Sequence, residues 1–319
     1  MIHLQAFQST DLPALVQVWN RTFLGGPNFI AVTERDLTQR VIHQSCFRET
    51  ELLVARRAEE VVGFVHFGLR IRPWPARGES AHDPAEGHIY ALVAPEADRP
   101  LHETLLTHTC ERLALAGATR ALLYPSWVQG VQPFYNGIAG AYEMPGLASD
   151  RQGLREVATE QGFEVAADYA TPELDLSRGD HIRSLLREGP RLGAQAARWE
   201  LEPRERRLRT PHFRTRRSVE LARDGRVIAM TAYGLWEEYA RQYGRRLFGI
   251  TSVQVDSGWR GKGLGKLAMI LAIEAAMAEG AEALHLHVYR ENKPAWNLYH
   301  RALGFLPAFA WITLAKELP

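Results

Sequence analysis

One order of predicted secondary-structure elements occurs twice along the 319 residues, and this repetition constrains the fold most strongly. Each half predicts a β-hairpin, a strand, a helix that ends at a glycine, and another strand. In the first half these elements are predicted at 51–69, 88–93, 101–116 and 120–124. In the second half they are predicted at 218–233, 248–255, 264–278 and 283–289, followed by a helix at 294–303. An internal duplication of a mixed α/β domain is the simplest interpretation.

Two segments of the halves align without a gap. Residues 93–103 superpose on residues 255–265, and Gly162 and Phe163 follow a predicted helix as Gly304 and Phe305 do. We place the boundary near residues 176–180, which predicts a first domain at 1–176 and a second at 177–319.

Composition excludes several classes of function. The formal net charge is +1, so no global field attracts a nucleic acid or an anionic membrane. Cys46 and Cys110 lie far apart, which predicts neither a disulfide framework nor a zinc site. No apolar run has the length of a membrane helix, and the first residues lack the pattern of a signal peptide, so a cytoplasmic location is expected. We interpret the arginine-rich segment 204–217 as an irregular, solvated connection.

A glycine-rich loop in the second half predicts an anion site. Three glycines follow the strand that ends at Val255 and lead into an amphipathic helix. The first turn of a helix offers unpaired N–H groups and the positive end of the helix dipole. Glycines allow an anion to approach these groups, and nearby basic side chains add positive charge. A diphosphate is the natural ligand. The loop and helix start contain Arg260, Gly261, Lys262, Gly263, Leu264, Gly265 and Lys266.

Two common nucleotide motifs do not fit this loop. A P-loop requires GxxxxGK followed by serine or threonine, and no register of the loop supplies it. Residues 263–268 fit GxGxxA, with Glu282 downstream, but a long loop separates the strand from the glycines. The remaining residues are too few for a doubly wound sheet. We therefore reject the dinucleotide-binding interpretation.

A wider pattern resembles the GCN5-related N-acetyltransferase (GNAT) superfamily. Its coenzyme A signature is similar to Val255-x-Ser257-x-x-Arg260-Gly261-x-Gly263-x-Gly265, although proline is commoner where Ser257 stands. A second block is similar to residues 286–305, with Asn292, Tyr299 and Gly304-Phe305. The clear resemblance covers residues 215–315. It implies two tandem GNAT-like domains, each with a mixed, mostly antiparallel central sheet flanked by helices.

The resemblance implies roles for individual residues. The backbone of Val253, Gln254 and Val255 would pair with acetyl-CoA, and the Val253 N–H would stabilise the oxyanion. Arg260 to Lys266 would bind the diphosphate. Asn292 would contact the cofactor, with a helix cap as the competing interpretation. Tyr299 would be the general acid that protonates the departing thiolate, with packing under the sheet as its alternative.

The general base and the acceptor site are less defined. Residues 248–252, where many relatives carry a glutamate, contain no carboxylate. Trp236, Glu237 and Glu238 precede the cofactor strand and are candidates for binding the acceptor, and His287 could act through water. His285 and His287 have a spacing compatible with a metal, but without a third ligand we predict packing and no metal site.

The first half carries different residues at the aligned positions. Asp98, Arg99, Leu101 and Glu103 replace Arg260, Gly261, Gly263 and Gly265, and Val157 replaces Tyr299. We therefore predict that this degenerate domain folds like the second but does not bind coenzyme A.

The predicted function is transfer of an acetyl group from acetyl-CoA to a primary amine, by direct attack through a tetrahedral intermediate. The acceptor is expected to be a small molecule, and the protein a monomer or homodimer. Two alternatives remain open at this stage. One is acetylation of a sugar-linked cysteine to make a low-molecular-weight thiol, and the other is a non-catalytic acyl-CoA-binding module.

Overall fold

The computed structural model describes residues 1–71, 82–126, 134–142, 146–208 and 216–319. The chain forms two compact units, the first from Met1–Tyr169 with Ala310–Pro319, and the second from Ala170–Phe309. This division differs from the boundary at 176/177. The last ten residues belong to the first unit because their strand pairs with a first-unit strand, with Leu314 opposite Leu123.

The first unit has a mixed sheet with helices α1 to α4. Its strands follow the order β1-β2-β3-β4-β5-β14. In the described part of this unit, β4 pairs with β5 in parallel, and the other pairings along this order are antiparallel. The strands are β1 (Ile2–Ala6), β2 (Leu52–Arg57), β3 (Glu60–Ile71), β4 (His82–Val93), β5 (Arg120–Leu123), β6 (Leu147–Ala148), the start of β7 (Glu164–Asp175) and most of β14 (Leu306–Glu317). The helices are α1 (Leu12–Phe23), α2 (Glu34–Leu37), α3 (Arg99–Leu115) and α4 (Gln152–Glu160).

The second unit repeats this architecture with the order β7-β12-β11-β10-β9-β8. Here the pairing of β11 with β12 is the parallel one. Its further strands are β8 (Glu202–Leu208), β9 (Arg216–Arg223), β10 (Arg226–Leu235), β11 (Leu247–Val255), β12 (Ala283–Leu286) and β13 (Val288–Tyr289). Its helices are α5 (Gly179–Ala197), α6 (Glu237–Tyr243), α7 (Leu264–Ala278) and α8 (Lys293–Trp296), and α8 continues as a π-helical turn over Asn297–Ala302. The predicted pair of mixed, mostly antiparallel sheets flanked by helices is confirmed.

Each unit has its own hydrophobic core. In the second unit, α7 supplies the largest helical share, because its apolar residues are buried against the sheet. Leu267, Ile270 and Ile273 are 2% exposed or less. Burial of side chains of this size stabilises by about 1.5–3 kcal/mol each. The core therefore fixes the position of the α7 N-terminus relative to β11.

The interpretation of 204–217 as an irregular connection is wrong for residues 204–208 and for residues 216–217, which begin β9. Residues 204–208 belong to β8, which pairs with β9. Arg204 Nε donates to the buried carboxylate of Glu220 at 2.9 Å, and Arg206 lies 3.7 Å from the same group. The arginines neutralise this carboxylate across the strands. Residues 209–215 lie outside the described part of the chain.

In the described parts of the chain, no helix combines the length and the apolar character that a membrane span requires.

Candidate functional site

A cleft of about 1140 Å³ opens in the second unit. Its walls are β10, the end of β11, the loop before α7, the start of α7, and the segment from Asn292 to Tyr299. Ligand sites commonly measure about 300–1,000 Å³, so this cleft has room for a large ligand. Every residue that the sequence predicts for the cofactor lines it, except Lys262. Two segments far apart in the sequence are therefore brought together.

The backbone of Val253 and Val255 faces the open edge of β11. The Asp256 N–H donates to the Ile228 carbonyl of β10 at 2.8 Å. Hydrogen-bonded and non-hydrogen-bonded pairs alternate along antiparallel strands, so the N–H and C=O groups of Val253 and Val255 point away from β10. The parallel partner β12 pairs with β11 only as far as Ile250. Beyond that residue, this edge of β11 is available to a ligand, apart from the Val255 carbonyl, which accepts from the Arg260 side chain.

A β-bulge determines which residues face this edge. The register of β10 and β11 shifts at Ala232/Tyr233, where Thr251 is the extra residue of β11. Without the extra residue, the alternation would direct Ser252 and Gln254 to the open edge and turn Val253 toward β10. The bulge therefore exposes the Val253 amide.

The loop before α7 depends on glycine for its conformation. Gly261 and Gly263 have φ angles of +76° and +79°, in the left-handed region that other residues rarely adopt. Gly263 is the N-cap residue of α7 and has no side chain to cap the helix. Its carbonyl accepts from the Leu267 N–H at 3.0 Å. The first-turn N–H groups of α7 therefore meet the cleft without a capping side chain, as an anion site requires.

Each of the three basic residues around this turn makes a different kind of contact. The Arg260 Nε donates to the Val255 carbonyl at 3.3 Å. The Lys266 Nζ donates to Glu188 at 2.7 Å, so its charge is largely compensated. The Lys262 side chain lies over two tryptophan rings. Arg260 and Lys266 line the cleft, whereas Lys262 does not.

Tyr299 lies in the π-helical turn that follows α8, and it lines the cleft although it is only 8% exposed. Burial raises the pKa of Tyr299 to about 12, so its hydroxyl stays protonated at neutral pH. Its backbone carbonyl accepts from the Phe305 N–H at 3.0 Å, which fixes the end of the turn.

The turn after Tyr299 is held from α5. The His181 Nε2 lies 2.9 Å from the Leu303 carbonyl, and the Arg178 Nη1 donates to the Gly304 carbonyl at 3.0 Å. Gly304 has a φ of +76°, and a Cβ atom there would collide with the His181 ring. Backbone conformation and packing therefore both favour glycine at this position of the Gly304-Phe305 motif.

Asn292 caps a helix and also faces the cleft. Its Oδ1 accepts from the Ala295 N–H at 3.2 Å, so it caps α8. It also lines the cleft.

The three predicted acceptor residues lie elsewhere. Trp236 is fully buried, and its ring lies 5.2 Å from that of His285. Glu237 and Glu238 stand in the first turn of α6. None of the three lines the cleft. A burial role therefore accounts for Trp236 better than a pocket-lining role.

His285 and His287 pack as the sequence predicts. Burial holds the pKa of His285 well below its usual range and lowers that of His287 to about 3, so both rings are neutral. The His287 Nδ1 lies 2.7 Å from the Thr171 Oγ1. Among the described residues, no group of three or more potential ligands could hold a metal.

Sequence reasoning missed one wall of the cleft. Residues 226–230 of β10 line it, and so does Leu298. The signal was available, since the hairpin turn at Asp224-Gly225 places the start of β10 beside the end of β11.

The gapless alignment of the two halves is wrong. In the first unit β4 pairs with β5 as far as Ile89, and the bulge residue is Tyr90. Ile89 therefore corresponds to Ile250, and Leu92 corresponds to Val253. The connection to the following helix is shorter in the first unit, with residues 95–97 standing where the second has 256–262. Asp98 consequently corresponds to Gly263, since both are helix N-caps.

The first unit fills the equivalent positions with its own side chains. The Tyr124 hydroxyl accepts from the Leu92 N–H at 3.2 Å and donates to the Leu92 carbonyl at 2.7 Å. The Asp98 carboxylate caps α3 through the Leu101 N–H. The Arg151 Nη2 donates to the Ala94 carbonyl at 3.2 Å. The open strand edge and the free helix N-terminus of the second unit are thus both occupied here.

Comparison with known proteins agrees with this geometry. Residues 181–305 match the sequence profile of the acetyltransferase (GNAT) family. No curated protein sequence matches the chain significantly.

Solved structures match along nearly the whole chain. A tandem GNAT protein from the clavulanic acid biosynthesis pathway, solved without acetyl-CoA, is 13% identical with a TM-score of 0.64, covering 100% of this chain and 99% of that one. A GCN5-related N-acetyltransferase from Sphaerobacter thermophilus is 13% identical with a TM-score of 0.59, covering 99% and 96%. The glucosamine N-acetyltransferase region of a fungal multi-domain GH3 beta-N-acetylglucosaminidase is 13% identical with a TM-score of 0.66, covering 99% of this chain and 38% of that one. At these identities the likeness is one of fold.

Proposed function

Because this protein belongs to the acetyltransferase (GNAT) family through its domain at residues 181–305, we propose that it transfers an acetyl group from acetyl-CoA to a primary amine of a small molecule. The observation that carries the proposal is the combination of an open β11 edge and an uncapped α7 N-terminus in one cleft. The two features suit the two parts of coenzyme A, since the edge matches the amide-containing pantetheine arm and the helix start matches the diphosphate.

The chain's own groups would act in the following way. When bound, acetyl-CoA would supply the acetyl thioester. The Val253 N–H, which points to the open edge, would donate to the thioester oxygen as negative charge develops there. The first-turn amides of α7 and the Arg260 guanidinium would hold the diphosphate and so orient the acyl end toward Val253.

Tyr299 would hold the proton for the departing sulfur. A phenol with a pKa of about 12 is a weak acid toward a thiolate in water. In the cleft, however, desolvation also destabilises the thiolate, so the pKa of the thiol rises together with the pKa of the phenol. The hydroxyl is therefore suited to act at close range.

We further propose that the acceptor approaches outside the cofactor cleft, on the side of α6, whose first turn carries Glu237 and the largely buried Glu238. Carboxylates attract an ammonium group before it loses its proton. Water could then carry this proton away, since β11 has no carboxylate between Phe248 and Ser252.

A non-catalytic acyl-CoA-binding module is the second candidate. The composition of the cleft lining favours this candidate. Among the described residues that line the cleft, Asp256 is the one carboxylate, and it pairs with Arg226 instead of standing free as a general base. One assay separates the candidates, namely thiol release from acetyl-CoA across a panel of small primary amines. Turnover that depends on the amine is the expected result. Cofactor binding without thiol release over the whole panel would favour the module.

We propose that the first unit does not bind coenzyme A, since Tyr124, Asp98 and Arg151 satisfy the groups that a cofactor would need. Titration of the full chain with coenzyme A is expected to give one site per chain by calorimetry. A stoichiometry of two would contradict this proposal while leaving the activity of the second unit untouched.

A further inference from the structure

A groove of about 250 Å³ lies between α5 and α7 in the second unit. Among the described residues, it shares none of its lining with the cofactor cleft. Its volume exceeds that of an engineered apolar cavity of about 150 Å³ that binds benzene. We call it the α5–α7 groove, and the residues that define it are Gly189, Pro190 and Gly193 of α5 with Leu267, Leu271 and Glu274 of α7.

Residues that weaken a helix keep this groove open on the α5 side. Gly189, Pro190 and Gly193 lie in the interior of α5, where glycine costs conformational entropy and proline lacks the N–H of the helical hydrogen bond. At Gly189 the helices are close, because a Cβ atom there would lie 3.3 Å from the Ile270 Cγ2. At Gly193 a Cβ atom would meet no described atom within 4 Å apart from its own helix. A larger side chain at this position would stabilise the helix and fill the space, and such departures from local preference are expected at functional sites.

Glu274 places a carboxylate in this otherwise apolar groove. Its Oε1 would lie 3.7 Å from a Cβ atom at Gly189, so the charge lies close to α5. Within the described part of the chain, Glu274 has no hydrogen bond and no ion pair, whereas Glu188 pairs with Lys266 and Glu279 pairs with Arg217. Burial raises the pKa of the Glu274 carboxyl, and no neighbouring charge opposes this rise. A cation at this place would stabilise the carboxylate.

The lining selects the chemistry of a ligand. Leucines on the α7 side favour a hydrocarbon body, since burial of apolar surface is favourable. The Glu274 charge favours an ammonium group and repels carboxylates and phosphates. From Gly189 to Ala196, which also lines the groove, α5 rises by about 10 Å, so the hydrocarbon body must be short.

We propose that the α5–α7 groove binds a small hydrophobic amine as its ammonium ion, with the ammonium at Glu274 and the hydrocarbon body between Gly193 and Leu271. This site is additional to the acetyl-transfer site and does not depend on the proposed function.

Calorimetry of the full chain with N,N-dimethylhexylamine at neutral pH tests the site. This tertiary amine is protonated at that pH and cannot form a stable amide, so it does not serve as an acetyl acceptor. We expect saturable binding with a stoichiometry of one. The uncharged n-hexanol should bind at least about 10-fold more weakly, and the anion hexanoate should show no measurable binding.

Two variants locate the ligand in the groove. Glu274→Gln keeps the shape of the side chain and removes its charge, so it should weaken the amine about 10-fold and leave n-hexanol unchanged. Gly193→Leu fills the space beside α5 and should weaken both ligands by at least about 10-fold. The thermal unfolding midpoint of Gly193→Leu should stay the same or rise, since leucine forms helices better than glycine.

Each variant has a matched control. Ala194→Leu adds the same side chain at the next position of α5, which is exposed. Glu282→Gln removes an exposed carboxylate beyond the end of α7. Neither residue lines the groove, so both control proteins should bind the amine as the unmodified protein does.

Three results would overturn the proposal. They are the absence of saturable amine binding, equal binding of the amine and hexanoate, and a folded Gly193→Leu protein that binds the amine unchanged. If Gly193→Leu does not fold, Glu274→Gln decides, because loss of the preference for the amine over n-hexanol supports the site and its retention contradicts it. The groove and the cleft share no described lining residue, so the Kd for coenzyme A tests the proposed function separately.

Discussion

Replacing Gly263 with aspartate is expected to raise the Kd for coenzyme A by about 100-fold. The carboxylate would place a negative charge beside the first-turn N–H groups of α7 and would repel the diphosphate. The first unit already has a carboxylate at the corresponding place, where Asp98 caps α3. Calorimetry with coenzyme A measures the effect, and thermal unfolding measures the cost to the fold.

The matched control for this change is Gly263→Asn. Asparagine and aspartate have nearly the same shape, and both tolerate a positive φ better than other residues, as Asp224 does here at +50°. A Cβ atom at position 263 would meet the Leu192 Cδ2 at 3.4 Å, an ordinary contact. The neutral variant should bind coenzyme A at least 10-fold more tightly than the aspartate variant. Equal losses in the two variants would mean that shape and not charge controls this turn.

Local pattern determined the elements that carry the site. Helix α7 is predicted at 264–278 and begins and ends at those residues, because glycines flank an apolar, helix-forming segment. The anion-binding interpretation needs only that helix start and the strand before it. The loop pattern and the family resemblance together therefore named a set of predicted cofactor residues, and all of them but Lys262 line one cleft.

Features that depend on pairing between distant segments could not be predicted. The bulge at Thr251 selects which amides face the open edge, and a one-residue shift would reverse the selection. The same limitation explains the wrong alignment of the two halves. The structure matches Asp98 with Gly263, because both are helix N-caps, whereas the sequence alignment placed Asp98 on Arg260. Tyr124 showed no motif, and its role depends on a contact with Leu92. The predicted boundary at 176/177 differs from the division of the structure, because most of β14, near the end of the chain, belongs to the first unit.

Tyr299→Phe is expected to lower kcat for amine acetylation by about 10²–10⁴-fold, the usual contribution of a positioned acid. The ring fills the same space, so the buried packing beside Phe305 should be retained. The Kd for coenzyme A should change by less than about 3-fold, which separates an acid from a binding residue. Rates of thiol release at saturating acetyl-CoA, together with calorimetric Kd values, give the two quantities.

The pH dependence and a second tyrosine sharpen this test. Since burial raises the pKa of Tyr299 to about 12, its hydroxyl keeps its proton up to roughly that pH. The rate should therefore not decline between pH 7 and pH 10 through loss of the acid, and any rise over this range reports deprotonation of the amine. Tyr289→Phe is the matched control, because its hydroxyl donates to Glu291 at 2.9 Å and does not line the cleft. A phenylalanine at position 299 that leaves kcat within a few-fold of the unmodified rate would assign Tyr299 to packing alone, and the proton for the thiolate would then have to come from water in the cleft.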